Sequence, residues 1–162
     1  MKSYYFPDRS WERETSLAYG FIIWLGLSLY WIAPYIITSG IVLGRIYMVK
    51  SFWLISFVIS LYIVGVFLHF CSDMYKDTFI KYNKKKLINS GLFKRSRNMN
   101  YFGEFLIYIS FAILSGNLIP FIVLTLFITV IWIPNMLRKD RSLEKYQNFK
   151  EYKKKSSLFI PM

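Results

Sequence analysis

Gly91-Leu92-Phe93-Lys94-Arg95-Ser96-Arg97-Asn98-Met99-Asn100-Tyr101-Phe102-Gly103-Glu104 runs without a break into the apolar segment Phe105 to Leu114. A basic, amide-bearing cluster thus feeds a hydrophobic helix that carries a carboxylate, Glu104, on its first turn. An ionisable group at the edge of a membrane span is expensive and generally has a partner and a task. The hydrophobic stretch lasts from Tyr101 to Pro134, 34 residues, which exceeds the ~20 needed for one span. Gly116-Asn117 followed by Pro120 is a turn signal near its middle. The stretch therefore predicts a helical hairpin with limbs of about 15 and 17 residues, both short for a hydrocarbon core of about 30 Å.

Working outward, two more apolar runs precede this hairpin. The first predicts a span from Leu17 to Ile37, kinked or ended by Pro34. The second predicts a span from Phe52 to Phe70. Residues 1–16 read as an interfacial segment without the features of a cleaved signal peptide. Thr38 to Lys50 reads as a short connection, in which Gly40 and Gly44 have a GxxxG spacing. Ser72 to Met99 reads as a long basic loop or surface helix. Leu143, Tyr146 and Phe149, three residues apart, suggest a short helix with one apolar face in the basic tail. The fold class expected is all-α: a polytopic integral membrane helical bundle of about four passes, with a C-terminal hairpin and a basic cytoplasmic tail. No linker divides the chain, so one domain over 1–162 is expected.

Composition agrees. The 162 residues are 55% hydrophobic and 20% aromatic, against ~45–50% apolar in soluble domains. The net charge is +12. Lys and Arg number 3 in residues 1–17, 2 in 38–50, 8 in 72–101 and 8 in 135–162. Four passes put 19 of the 21 on one side, which predicts cytoplasmic termini. The clustering of these charges beside apolar runs argues for membrane lipids as partners and against nucleic acid. One cysteine, Cys71, excludes an intrachain disulfide, and with the single His69 it is too few for a zinc site. Both are expected to pack at the end of a span.

The chemistry-bearing residues converge on the predicted cytoplasmic side. Arg97, Asn100, Tyr101 and Glu104 share one stripe if the helix begins near Arg97. Arg97, with Arg95 and Lys94, is suited to clamping phosphates. Asn100 and Glu104 are suited to reading ribose hydroxyls or an adenine edge. The same residues also fit a plainer role, with the arginines as membrane anchors, Tyr101 in an aromatic belt and Glu104 neutralising an arginine. Asp73 and Lys76, one turn apart, fit a surface ion pair. The segment Arg138-Lys139-Asp140-Arg141, with Tyr152, fits either a membrane-surface helix or a cover over a polar site.

Several of these motifs resemble a known family. Gly91-Leu92-Phe93, Asn100-Tyr101-Phe102-Gly103-Glu104, Leu143-Glu144-Lys145 and the closing Ile160-Pro161 resemble the C-terminal half of the steroid 5-alpha-reductases and of bacterial membrane proteins carrying that domain. Ser72-Asp73 is similar as well. The wider superfamily includes the sterol reductases and the isoprenylcysteine carboxyl and phospholipid methyltransferases. The resemblance covers residues 60–162 and implies a cofactor-binding core there. It implies that Asp73, Asn100, Tyr101 and Glu104 line a cofactor pocket. It aligns Arg97 with the first residue of an Arg-His-Pro-x-Tyr signature, in which Asn98 and Met99 stand for His-Pro. It also implies that Arg138, Asp140, Arg141 and Tyr152 of the tail close over the cofactor and that Asn98 replaces a histidine contact only if its amide supplies one, while Arg95 enters the cofactor-binding set as a phosphate clamp beside Arg97. The acid and phenol that polarise the substrate ketone in the reductases have no match in residues 1–50, so the catalytic residues stay unassigned.

The expectation is a membrane-embedded, NADPH-dependent reductase of a conjugated double bond in a lipid or steroid-like substrate, without a metal. One alternative is an S-adenosylmethionine-dependent methyltransferase acting on a lipid or prenyl-cysteine. Another is a non-catalytic membrane protein that keeps the fold. The membrane expected is a bacterial inner membrane or the endoplasmic reticulum.

Overall fold

Backbone polar groups inside long apolar runs must be satisfied within the run, which in a membrane favours helices. Helices dominate the structure. The computed structural model describes residues 16–42, 45–46, 51–83 and 86–162. In chain order these form α1 (Leu17–Leu29), α2 (Ile32–Ser39), a two-residue antiparallel pair β1 (Ile41–Val42) and β2 (Arg45–Ile46), and α3 (Phe52–Tyr82). A 3-10 turn (Gly91–Lys94) leads to α4 (Met99–Ser115) and α5 (Leu118–Phe127). A π-helical turn (Ile128–Trp132), α6 (Ile133–Leu143) and α7 (Phe149–Lys155) complete the chain.

Among the described residues two helices are long and apolar enough to cross a membrane: Phe52–Tyr82 and the continuous rod Leu118–Leu143. Their most apolar windows are only 11% and 17% buried, the opposite of a soluble protein's core helix. Phe57, Ile63, Phe67, Ile122, Leu126 and Val130 are all exposed. Contiguous apolar surface on this scale calls for a lipid environment. Two shorter apolar stretches, Ile23–Ser39 and Met99–Ser115, complete the bundle.

The hairpin forms where Gly116-Asn117 predicts it. Gly116 closes α4 in the left-handed region at φ 60, and its N–H donates to Ile113 O, a backbone state that glycine adopts without a Cβ clash. Asn117 then caps α5 by accepting from Ile119 N at 2.8 Å. The limbs differ from expectation in length. The first has 17 residues, and the second continues through the π turn and α6 to Leu143. Pro134 falls in the first turn of α6 and is accommodated there.

The first apolar run breaks at Tyr30-Trp31, four and three residues before Pro34, where a proline ring crowds the preceding carbonyl, and Pro34 sits in the first turn of α2. Two other expectations are corrected. Residues 72–82 are not loop, because α3 carries straight on to Tyr82 for 31 residues, ~46 Å at 1.5 Å per residue. His69 and Cys71 therefore sit mid-helix. Leu143, Tyr146 and Phe149 do not share a helix, because α6 stops at Leu143 and α7 begins at Phe149. The interfacial reading of residues 1–15 and the Gly40/Gly44 spacing fall wholly or partly outside the described residues.

The closest helix crossing joins α3 to α4. A Cβ added at Gly65 would lie 2.8 Å from Gly103 O, and one at Gly103 would lie 2.8 Å from Gly65 O. Paired glycines let the two backbones touch. That contact places α4's polar first turns against α3 near His69. Leu124, Trp132 and Met136 form the buried core, surrounded by Tyr101, Phe105 and Tyr108 from α4 and by Leu158 and Phe159 from the tail.

Candidate functional site

The polar residues divide into two groups. The first lies on α4. Asn100 and Glu104 are four residues apart and share a face. Asn100 carries a buried Oδ1 with no hydrogen-bond partner. Buried polar atoms are nearly always paired, so such an exception points to a ligand or a water. The Asn100 carbonyl lies 3.1 Å from His69 Nδ1. A carbonyl only accepts, so Nδ1 carries the proton in this contact. His69 Nε2 then faces Asp73 at 3.9 Å.

Glu104 accepts a hydrogen bond from Tyr108 OH at 3.3 Å. The Tyr108 ring stacks on Tyr30 from the first apolar run, with centroids 4.3 Å apart and planes 11° apart. Tyr101 leans on Trp132 at 5.6 Å, where the π turn presents that indole inward. Beyond this cluster lies an apolar cavity of about 140 Å³, lined by Tyr30, Tyr108, Ala33, Phe111 and Val123 among others. A carboxylate with an attached phenol thus stands next to an apolar chamber.

The second group is a buried knot that straps the tail to the segment before α4. Arg97 precedes the helix rather than joining its stripe, because α4 begins at Met99. Its Nε donates to both oxygens of Asp140, at 3.0 and 3.1 Å. Its Nη1 donates to Ser156 O and, at 3.1 Å, to Ser156 Oγ. Arg97 is 6% exposed and Asp140 3%. A guanidinium held this way is already matched to a carboxylate. Asn98 Nδ2 donates to Leu158 O at 2.8 Å, and Asn98 Oδ1 accepts from Lys139 Nζ at 3.0 Å. Lys139 Nζ also donates to Arg97 O at 2.7 Å. Backbone bonds from Arg97 N to Ser157 O and from Ser157 N to Arg95 O complete the strap. Tyr152 OH donates to Phe93 O at 2.6 Å. Burial pushes this phenol up to about 12, which keeps it a donor at any ordinary pH.

The residues expected at one site are therefore distributed. Asn100, Tyr101 and Glu104 lie on α4, with Asp73 across from them on α3. Arg97, Asn98, Asp140 and Tyr152 are spent on one another and on the tail. Arg138 and Arg141 are exposed on α6. Arg95 is exposed beside an open groove of about 450 Å³ that it shares with Lys94 and Lys155. Lys155 bonds Glu151 there, and this contact holds the Glu151 carboxyl below its usual range.

Sequence reasoning passed over Tyr108 and gave His69 only a packing role. His69 was four residues from Asp73, and Tyr108 four from Glu104, so helical spacing was available as a signal for both. Lys139 was placed in the segment Arg138-Lys139-Asp140-Arg141, but nothing local marked its partners, which lie more than forty positions upstream.

Comparison with known proteins adds a family. The model of a family described as "Protein of unknown function (DUF1295)" matches residues 9–156. No curated protein and no solved structure matches the chain.

Proposed function

This chain belongs to the DUF1295 family, and from that premise and the α4 cluster we propose that it is a membrane-embedded, NADPH-dependent reductase of a conjugated double bond in a lipophilic substrate. The observation that carries the reading is the buried, unpartnered Asn100 Oδ1, one turn from a carboxylate that holds a phenol beside an apolar chamber.

The fit of the cofactor is uneven along its length. Asn100 Oδ1 is an acceptor in need of an N–H or O–H, which a carboxamide or a ribose supplies. Asp73 and Glu104 add carboxylates for further hydroxyls. NADPH, when bound, would supply the hydride. Asn100 and Glu104 would orient its polar ring. Tyr108 Oη, held by Glu104, would keep a proton close to the oxygen of a substrate carbonyl and so draw charge away from the double bond. The cavity between α2, α4 and α5, of about 140 Å³, would take one end of the substrate's apolar body and exclude water there. The cofactor phosphates would rely on Lys94, Arg95, Arg138 and Arg141, because Arg97 is bound to Asp140.

That commitment of Arg97 is the observation favouring a second reading, an S-adenosylmethionine-dependent methyltransferase. A sulfonium needs no phosphate clamp and gains from a nearby carboxylate such as Glu104. Isothermal titration of the purified protein with NADPH, NADH and S-adenosylmethionine separates the two. The reductase reading expects saturable NADPH binding and oxidation of NADPH in the presence of a lipophilic α,β-unsaturated ketone. Asn100→Ala and Glu104→Gln should each weaken binding by about 1–3 kcal/mol. Asn100→Ala should leave the ligand-free thermal midpoint level or higher, because it removes an unsatisfied acceptor. Saturable S-adenosylmethionine binding without NADPH binding would transfer the assignment to the methyltransferase. Binding of neither by folded protein would leave a non-catalytic membrane protein.

A further inference from the structure

The end of α3, the 86–88 segment and α6 converge on a second cavity, of about 120 Å³. Lys76, Lys86, Arg97 and Lys139 all line it, and among the described residues its lining contains no carboxylate. Asp140, next to Lys139 in the chain, is turned to Arg97, and Asp73 on α3 also acts on Lys139. Lys139 Nζ has three N–H donors, two of which go to Arg97 O and Asn98 Oδ1. With Arg97 matched to Asp140, three lysine ammoniums remain around this small volume and repel one another, and an anion among them relieves that repulsion. The remaining walls, Ile80, Leu87 and Leu143 among them, are apolar.

We propose that this cavity binds a phosphate ester carried on an apolar body, an anionic phospholipid headgroup rather than a whole dinucleotide. Lysine ammoniums are point-charge partners for phosphate, and Lys76, Lys86 and Lys139 supply them here. The apolar walls suit the glycerol and first methylenes of a lipid, and α3, which supplies Lys76 and Ile80, is long and apolar enough to cross a membrane. Size argues the same way, because 120 Å³ is well below the ~300–1,000 Å³ that encloses a drug-sized ligand. Asn100 and Glu104 do not line this cavity, so the inference stands independently of the reductase reading.

The test titrates the full chain, in zwitterionic detergent and phosphate-free buffer, with dihexanoyl phosphatidic acid, dihexanoyl phosphatidylcholine and adenosine 2′,5′-bisphosphate. Phosphatidic acid should bind saturably, and phosphatidylcholine about tenfold more weakly or worse, since its choline meets the same cations. Lys76→Gln with Lys86→Gln should lower phosphatidic acid affinity about tenfold, the scale of two charge-assisted contacts. Leu143→Trp keeps every charge but fills the chamber, and should abolish binding at an unchanged thermal midpoint. Lys153→Gln with Lys154→Gln, the same charge change on exposed α7, should leave affinity unchanged. Equal losses from both lysine pairs would reveal a diffuse positive field and overturn the site. Tighter binding of the bisphosphate than of phosphatidic acid, lost in Leu143→Trp, would overturn the lipid as the carrier. No saturable binding of any of the three by folded protein would overturn the proposal outright.

Discussion

Arg97 and Asp140 show how one residue's partner decides its role. In sequence, Arg97 stands in a basic cluster before a hydrophobic helix, and either a phosphate clamp or a membrane anchor fits it. In the folded chain it forms a two-bond fork with a carboxylate 43 positions away. Arg97→Ala or Asp140→Ala leaves the other charge buried and unpaired, at a cost of about 3–5 kcal/mol. Both should lower the thermal midpoint in detergent sharply, and the double replacement should recover part of the loss. An unchanged midpoint with lost nucleotide affinity would return Arg97 to the cofactor. Tyr152 makes a pH prediction. Burial pushes its phenol up from the ordinary 10.0 to about 12 in the fold. The folded form thus holds the proton more tightly, so its contribution is complete below pH 10 and disappears as pH rises toward about 12. Tyr152→Phe should flatten the loss of stability in that window relative to the parent, as read by denaturation at fixed pH. An identical alkaline profile would show that the phenol is not coupled to folding.

At the scale of elements, the α3–α4 crossing is the contact that positions the candidate site. Gly103→Ala would place a methyl 2.8 Å from Gly65 O and against the His69 backbone, with no flexible side chain able to yield. Overpacking of this kind costs about 1–3 kcal/mol. The variant should separate the helices and break the His69–Asn100 contact, detectable as a lower midpoint together with weakened ligand binding. Gly26→Ala is the control, since its methyl would meet only the Phe127 ring at 3.7 Å, an ordinary contact. Equal effects from the two would mean that the glycine crossing does not hold α4 in place. Element boundaries were legible where local chemistry set them. Gly116-Asn117 ends one helix and caps the next through its own backbone and side chain. The continuation of α3 through Ser72 to Tyr82 was not legible, because a charged helix extending beyond a span has the composition of a loop.

At the scale of the whole molecule, the charge distribution predicts four passes with both termini on the side that holds 19 of the 21 Lys and Arg residues. Single cysteines at Ser3 and at the exposed Lys150, in a Cys71→Ser background, should both react with an impermeant thiol reagent only from the cytoplasmic face. One terminus labelled from outside would reverse the topology and part the α4 cluster from the tail that straps it.

The sequence by itself determined the helical class, the apolar runs, the hairpin turn and the polar residues that open α4. Each follows from chemistry within a few positions: hydrophobic run length, glycine at a left-handed cap, charge beside apolar surface. The tertiary structure alone decided which polar residues meet. It paired Arg97 with Asp140, bound Asn98 to Lys139, brought Tyr30 onto Tyr108, and left Asn100 Oδ1 without a partner. Those outcomes depend on contacts between segments far apart in the chain, where the low dielectric of the interior makes each pairing costly to break. No local pattern encodes which of several available partners a buried charge will take.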